Sequence, residues 1–275
     1  MAAVSWQPKT FIRFERSLST STQVAKVVTD AGHVYLKGLG NPEGPHALAS
    51  ELVGTRLARL FDLPTLDHAI LRIDATVDEI PLYGGGKVTS GSAYCTREEE
   101  GHVWGGDAEE LARVENQQDM VRLVVFDTWV RNRDRHHPDY AIRKPNRDNV
   151  FLSSQGTEEG RYRLLAIDHT HCFGDGNALS SRLARIDAVQ DTKIYGLFPE
   201  FAPYFNMDTL LICVADLGAL TRQQVEQVIQ NIPVDWEVDQ AARDALVRFL
   251  MERAQFVAGT IIDRLQREDG SWAFL

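Results

Sequence analysis

The sequence predicts an α+β chain of two lobes, a small, mainly β lobe over residues 1–100 and a larger, mainly helical lobe over residues 101–275. Three observations predict it. Short β-type runs, Val24 to Thr29 and His33 to Lys37, fall in the first hundred residues. In the middle, two apolar runs, Asn149 to Leu152 and Tyr162 to Ile167, flank a polar stretch, Ser153 to Arg161, as the arms of a hairpin do. The last third carries apolar residues at helical spacing.

Taken in order, the polar segment Ser17 to Gln23 precedes the first predicted strand, and the second ends at Lys37-Gly38. Pro45 to Phe61 follows, with Leu48, Leu52, Leu57 and Leu60 near a helical stripe and Glu51 in its first turns. Gly84-Gly85-Gly86 marks a flexible point; the lysine and Ser/Thr spacing of a Walker phosphate loop is absent around it. The lobe boundary is expected near residues 94 to 105. Asp119 to Arg131 spaces Met120, Leu123, Val124, Phe126 and Val130 as a buried helix does. Beyond the hairpin, Gly174-Asp175-Gly176-Asn177 reads as a turn, and Ala178 to Phe205 holds few helical signals. Thr221 with Gln224 forms a capping-box pattern, and Asp239 precedes a long stripe from Ala245 to Leu265.

Composition excludes several classes. The chain is 44% hydrophobic and 25% charged, ordinary for a folded protein. No apolar stretch approaches the ~20 residues of a membrane span, and Met1 to Gln7 lacks the cationic and apolar regions of a signal peptide. A cytoplasmic protein is expected. Cys95, Cys172 and Cys213 show no paired spacing, so reduced thiols are the default. A net charge of -10 argues against direct nucleic-acid binding, which rests on Lys and Arg neutralising phosphates.

The chemistry concentrates in three segments. Asn132-Arg133-Asp134-Arg135-His136 is followed by Asn149-Val150-Phe151-Leu152 and by Leu165-Ala166-Ile167-Asp168. Phosphoryl transfer asks a protein mainly to hold metal-bound phosphates in line with an acceptor hydroxyl. Asp134 suits the base that orients the hydroxyl; Asn149 and Asp168 suit magnesium, which takes a few oxygen ligands beside phosphates and waters. An Asp directly after a buried strand is costly unless paired or metal-bound. Lys37, on an early strand, and Glu51, on the following helix, supply the further pair that phosphate binding demands. The Ser17 to Gln23 segment, Ser21 among it, has the amides and hydroxyls to cover phosphates but no glycine. The histidines around these segments, His136, His137, His169 and His171, suit loop-locking hydrogen bonds better than a transition metal, since carboxylate and amide ligands favour magnesium.

These segments resemble the HipA-like kinases and, more distantly, the phosphoinositide kinases, all variants of the protein-kinase fold. The likeness covers about residues 17 to 205 and rests on Asp134-Arg135-His136, on Ala166-Ile167-Asp168, and on Tyr35-Leu36-Lys37 with the helix through Glu51 to Leu63-Pro64. It implies ATP and Mg2+ as cofactors, Lys37 on the phosphates paired with Glu51, Asp134 as base, His136 bracing the loop, and Asn149 and Asp168 on the metal. It places the adenine-reading hinge at Gly91 to Thr96, so that backbone groups around Tyr94 and Thr96 meet the base. The acceptor it implies is a protein Ser/Thr, with a lipid or small alcohol, or a non-catalytic binding module, as the other readings; an antitoxin-type partner protein is a further possibility it carries. The chain departs from the family in two ways. Residues His137 to Asp148 are inserted between Asp134 and Asn149, which leaves Asn146 and Asp139 as rival metal ligands. The additional amino-terminal subdomain of full-length HipA-type toxins has no room in 275 residues, so a compact kinase core is expected.

Overall fold

The computed structural model describes residues 6–174 and 176–267; residues 1–5 of the amino-terminal stretch and Asp175 of the predicted turn lie outside them. The amino-terminal part is a five-stranded antiparallel sheet in the order β1-β2-β3-β5-β4. Its strands are β1 (Phe11–Ser17), β2 (Ala25–Thr29), β3 (Gly32–Lys37), β4 (His68–Ile73) and β5 (Gly91–Arg97). The β2–β3 register, Ala25 opposite Leu36 through Thr29 opposite Gly32, closes a tight hairpin in which Gly32 takes φ 100°, a conformation glycine adopts without steric cost.

One face of this sheet buries Val27, Val34, Leu36, Leu71, Ile73 and Cys95 with Ile80, Leu82 and Val88 of the β4–β5 connection. The other face receives α1 (Pro45–Leu60), which starts with proline at its first turn, where a missing N–H costs nothing. Residues 47–55 of α1 are all buried, and a helix enclosed on every side needs no amphipathic pattern. Its apolar residues and Tyr94 belong to the same core as the helices of the carboxy-terminal part.

That part begins with β6 (Gly101–Val103), which pairs antiparallel with β7 (Val150–Ser153), itself paired with β8 (Arg163–Ala166). The predicted hairpin is therefore present. Helices α2 (Ala108–Ala112) and α3 (Asp119–Val130) lie between β6 and β7; α4 (Ile186–Val189), α5 (Met207–Ala219), α6 (Arg222–Gln230) and α7 (Gln240–Arg267) follow. Thr221 and Gln224 form the expected capping box at α6, and Asp239 accepts from the Ala242 N–H at the start of α7. α7 packs on α3, α4, α5 and α6. No helix among the described residues is long and apolar enough to cross a membrane.

One expectation is corrected here. The stretch Gly91 to Thr96 is not a crossover but β5, inside the sheet, with Tyr94 opposite Lys37 on one side and Ile70 on the other. Residues 94–96 are paired with β3 and β4, whereas residues 91–93 are paired with β4 alone; strand-forming Tyr, Cys and Thr explain why. The chain passes from the first sheet to the second through Glu98 to Glu100.

Candidate active site

Lys37, the last residue of β3, is the link between the two parts of the molecule. Its Nζ lies 2.6 Å from Glu51 Oε2 on α1, 3.1 Å from Asp168 Oδ1 just after β8, and 3.0 Å from the Thr170 hydroxyl. Burial alone would disfavour its charge, but the Asp168 and Glu51 carboxylates outweigh that and hold its pKa above the usual lysine value. Burial likewise works against the Glu51 carboxylate, yet the Lys37 ammonium and His169 hold it well below the usual range. Thr170 donates to Glu51 Oε2 at 2.7 Å, so the pair is closed by a hydroxyl from the segment that follows Asp168.

Asp168 leaves β8 with φ 55°, a left-handed conformation that Asp tolerates better than most residues. The turn directs its carboxylate toward Lys37. A second cluster surrounds Asp134. Its Oδ2 accepts from the Asn149 amide at 2.8 Å and from the Asn146 amide at 3.0 Å. Its Oδ1 accepts from Arg143 Nη1 at 2.6 Å, and His171 Nδ1 stands 3.4 Å away. Burial opposes the Asp134 charge, but these donors and the His171 and Arg143 charges hold the carboxyl well below the ordinary range. His171 also reaches Glu43 Oε2 at 3.4 Å; between the Asp134 and Glu43 carboxylates its pKa rises to about 10 despite partial burial.

The two clusters are joined by Arg135. Fully buried, it donates to the Asn149 carbonyl at 3.1 Å and the Ile167 carbonyl at 2.7 Å, and it pairs with the buried Asp127 of α3. Ile167 N–H in turn donates to the Asn149 carbonyl at 3.2 Å. One guanidinium thus fixes the loop of Asp134 against both strands that carry the candidate metal ligands.

The donor set fits a hard divalent ion. With its Nδ2 on Asp134, the Asn149 amide has its oxygen left to offer, and Asp168 has a second carboxylate oxygen beyond the one on Lys37. Among the described residues no three or more His, Cys, Asp or Glu come together in a group that could hold a metal, and magnesium asks for few protein ligands. Three of the four histidines are engaged elsewhere, His169 on Thr55, His136 on Tyr140 and His137 on Asp139; His171 lies between Asp134 and Glu43.

The family pattern of HipA-like kinases matches residues 14–260. The chain belongs to the HipA-like kinase family. It is a kinase by family, and its fold is protein-kinase-like: the Helicobacter pylori proinflammatory kinase CtkA is 12% identical over 94% of this chain and 98% of its own, with a TM-score of 0.60. HipA of Shewanella oneidensis, solved with HipB and operator DNA, is 11% identical at a TM-score of 0.40; the match covers 91% of this chain and 64% of that one. The PknI kinase domain of Mycobacterium tuberculosis, solved as a point mutant, is 18% identical over 96% and 99%, at 0.30. A search of curated proteins gives no match.

Within this HipA-like kinase the structure gathers Lys37, Glu51 and Asp168 in one cluster and Asp134, Asn149 and Asn146 in another. Asp139 instead caps its own turn, accepting from Ala141 N–H at 2.9 Å. Ser21 lies in the β1–β2 turn, near enough to Glu43 to help lower its carboxyl pKa, after His171. His136 faces Tyr140 and Phe198, and burial with the nearby Arg147 charge lowers its pKa to about 4. Tyr94 is buried with its hydroxyl 2.9 Å from Thr55, and Thr96 sits in β5 opposite Tyr35 and His68. Arg135, Thr170 and Glu43 were not singled out as site residues from the sequence. Arg135 did leave a signal, because Asp127 in the apolar run Val124 to Val130 demands a buried partner.

Proposed function

We propose that this chain is an ATP- and magnesium-dependent kinase that phosphorylates a protein on Ser or Thr. The observation that carries the reading is the single network from Glu51 through Lys37 to Asp168, held by Arg135 against the loop bearing Asp134. When bound, magnesium and ATP supply the transferable phosphoryl group with its charge shielded. In this reading Asp168 and the Asn149 oxygen hold the ion; Asn149 is preferred to Asn146 because its backbone is hydrogen-bonded to Ile167, next to Asp168. Lys37 turns from Asp168 toward phosphate while Glu51 keeps it charged. Asp134 orients the acceptor hydroxyl and receives its proton. Ser21, in the turn over the site, meets phosphate oxygens.

The assignment to a protein acceptor and the division into lobes at residue 100 rest on family likeness, as does a partner protein of the antitoxin kind, which HipB is to HipA. A cytoplasmic location accords with three free, buried cysteines. The test is transfer of labelled γ-phosphate into whole lysate with magnesium, comparing wild type with Asp134→Ala and Asp168→Ala. Protein labelling lost in both variants supports the reading. Label in an organic-extractable or small product points to a lipid or metabolite acceptor, and ATP binding without transfer points to a non-catalytic module.

A further inference from the structure

The insert of residues 137–148 does not simply skirt the surface: it returns Arg143 to the base. Arg143 Nη1 lies 2.6 Å from Asp134 Oδ1, while both amides, Asn146 and Asn149, take Oδ2. With His171 Nδ1 also 3.4 Å from Oδ1, each Asp134 oxygen already has two polar neighbours where an acceptor hydroxyl would come, and the shortest of these contacts is the charge-assisted one from Arg143. The Arg143 side chain is 34% exposed and also meets His171 Nδ1 at 3.3 Å, so it lies at the surface of the site and not in the core. From this geometry we infer that Arg143 selects acceptors carrying an anionic group close to the reacting hydroxyl, in the form of an acidic protein segment. The inference rests on the kinase reading above and names its substrate class.

The reason is differential affinity. A ligand shifts a contact only as far as it interacts better with the new arrangement than with the old. A neutral hydroxyl offers a guanidinium nothing comparable to the carboxylate it would leave. A carboxylate or phosphate beside the hydroxyl does, because Arg143 exchanges one anion for another and vacates its own place on Oδ1, beside His171, for the hydroxyl in the same movement. The surroundings suit such a segment. Lys144 is exposed next to Arg143, and Arg133 and Lys193 place positive charge toward His137. Tyr140 and Ile142, 52% and 57% exposed, give apolar contact of the kind a peptide side chain fills.

The test is a positional-scanning peptide library with a central Ser or Thr, labelled with magnesium and γ-labelled ATP by wild type and by Arg143→Ala, with ADP formation followed in parallel. Wild type is expected to favour Asp, Glu or phosphoserine near the acceptor over Asn or Gln by about tenfold, the worth of one charge-assisted hydrogen bond. Arg143→Ala should bring that ratio below about twofold. ATP turnover with equal labelling of acidic and neutral peptides, or an acidic preference undiminished in Arg143→Ala, overturns the inference and leaves the kinase reading standing. Label entering phosphatidylinositol vesicles instead of peptides overturns it in favour of a lipid acceptor. No ATP turnover by wild type removes the kinase reading and this inference with it.

Discussion

At the scale of single residues the site is a set of buried charges, each tolerable only through its partner. Replacing Lys37 by Ala strands Glu51 beside Asp168 and removes the ammonium that both carboxylates share; phosphoryl transfer is expected to fall about 10²–10³-fold, read as kcat in a steady-state ADP assay. Arg135 and Asp127 are both fully buried. Breaking such a pair on one side leaves an uncompensated charge, so Arg135→Met should cost about 3–5 kcal/mol in urea unfolding, and adding Asp127→Leu should recover part of it. His136 gives the pH dependence. Its pKa is lowered to about 4 in the folded protein by burial against about 6.5 unfolded, so the unfolded chain takes the proton first. Its contribution is intact above pH ~6.5 and is lost as pH falls toward ~4, about 2 kcal/mol by pH 5. Unfolding free energies at pH 7 and pH 5 check this; His136→Gln should show a correspondingly smaller drop.

At the scale of elements, α1 is held in place on two sides, by the segment after Asp168 and by the carboxy-terminal third. Gly54 faces the segment after Asp168 so closely that a Cβ there would stand well inside van der Waals contact with His169 Cβ. Gly54→Ala should push α1 away from Asp168 and separate Glu51 from Lys37. The expected result is a drop in transfer of about tenfold or more with stability lowered by about 1–3 kcal/mol, read from kcat and thermal melting together. On its other side α1 meets α6 and the short turn Val234–Trp236. In that turn Asp235 accepts from Ser92 N–H at 2.6 Å and Trp236 donates to the Ser92 carbonyl at 2.9 Å. The carboxy-terminal helices thus buttress the helix that carries Glu51. Asp235→Ala, which leaves the Ser92 N–H without its partner, should lower stability by about 1–3 kcal/mol, measurable by urea titration.

At the scale of the whole molecule, sheet order and core do not follow the same division. The sheet changes at Glu98 to Glu100, but the apolar core runs from α1 and Tyr94 through α3 to α5, α6 and α7 without interruption. The sheet's second face, covered by residues of the β4–β5 connection, forms a separate cluster. Unfolding is accordingly expected as one cooperative transition, with coincident curves by far-UV circular dichroism and tryptophan fluorescence; Trp104, Trp129 and Trp236 all lie in the continuous core. Two separated transitions would mean that the lobes unfold independently.

Much of this was legible in the residues themselves. Periodicity gave β2, β3, α1, α3, the β7–β8 hairpin and α7, because each buries one defined set of apolar side chains at its own repeat. The set Lys37, Glu51, Asp134, Asn149, Asp168 pointed to phosphotransfer, because that chemistry uses those groups and the kinase fold that the chain resembles carries them in that order. Strands β1 and β4 and helix α5 were not read. β1 is an edge with few buried residues, and β4 follows the helix with no strong turn signal of its own. The stretch 91–96 was misplaced because a short run of strand formers looks the same inside a sheet as beside it. The sequence alone determined which groups exist and the local elements that carry them. Only the tertiary structure decided that Arg143 from the insert lies on Asp134, that Arg135 joins the segments of Asn149 and Ile167, and that α1 is buttressed by residues from the carboxy-terminal third. Those are contacts between distant segments, set by packing and by the need of each buried charge for a partner, and no local pattern specifies them.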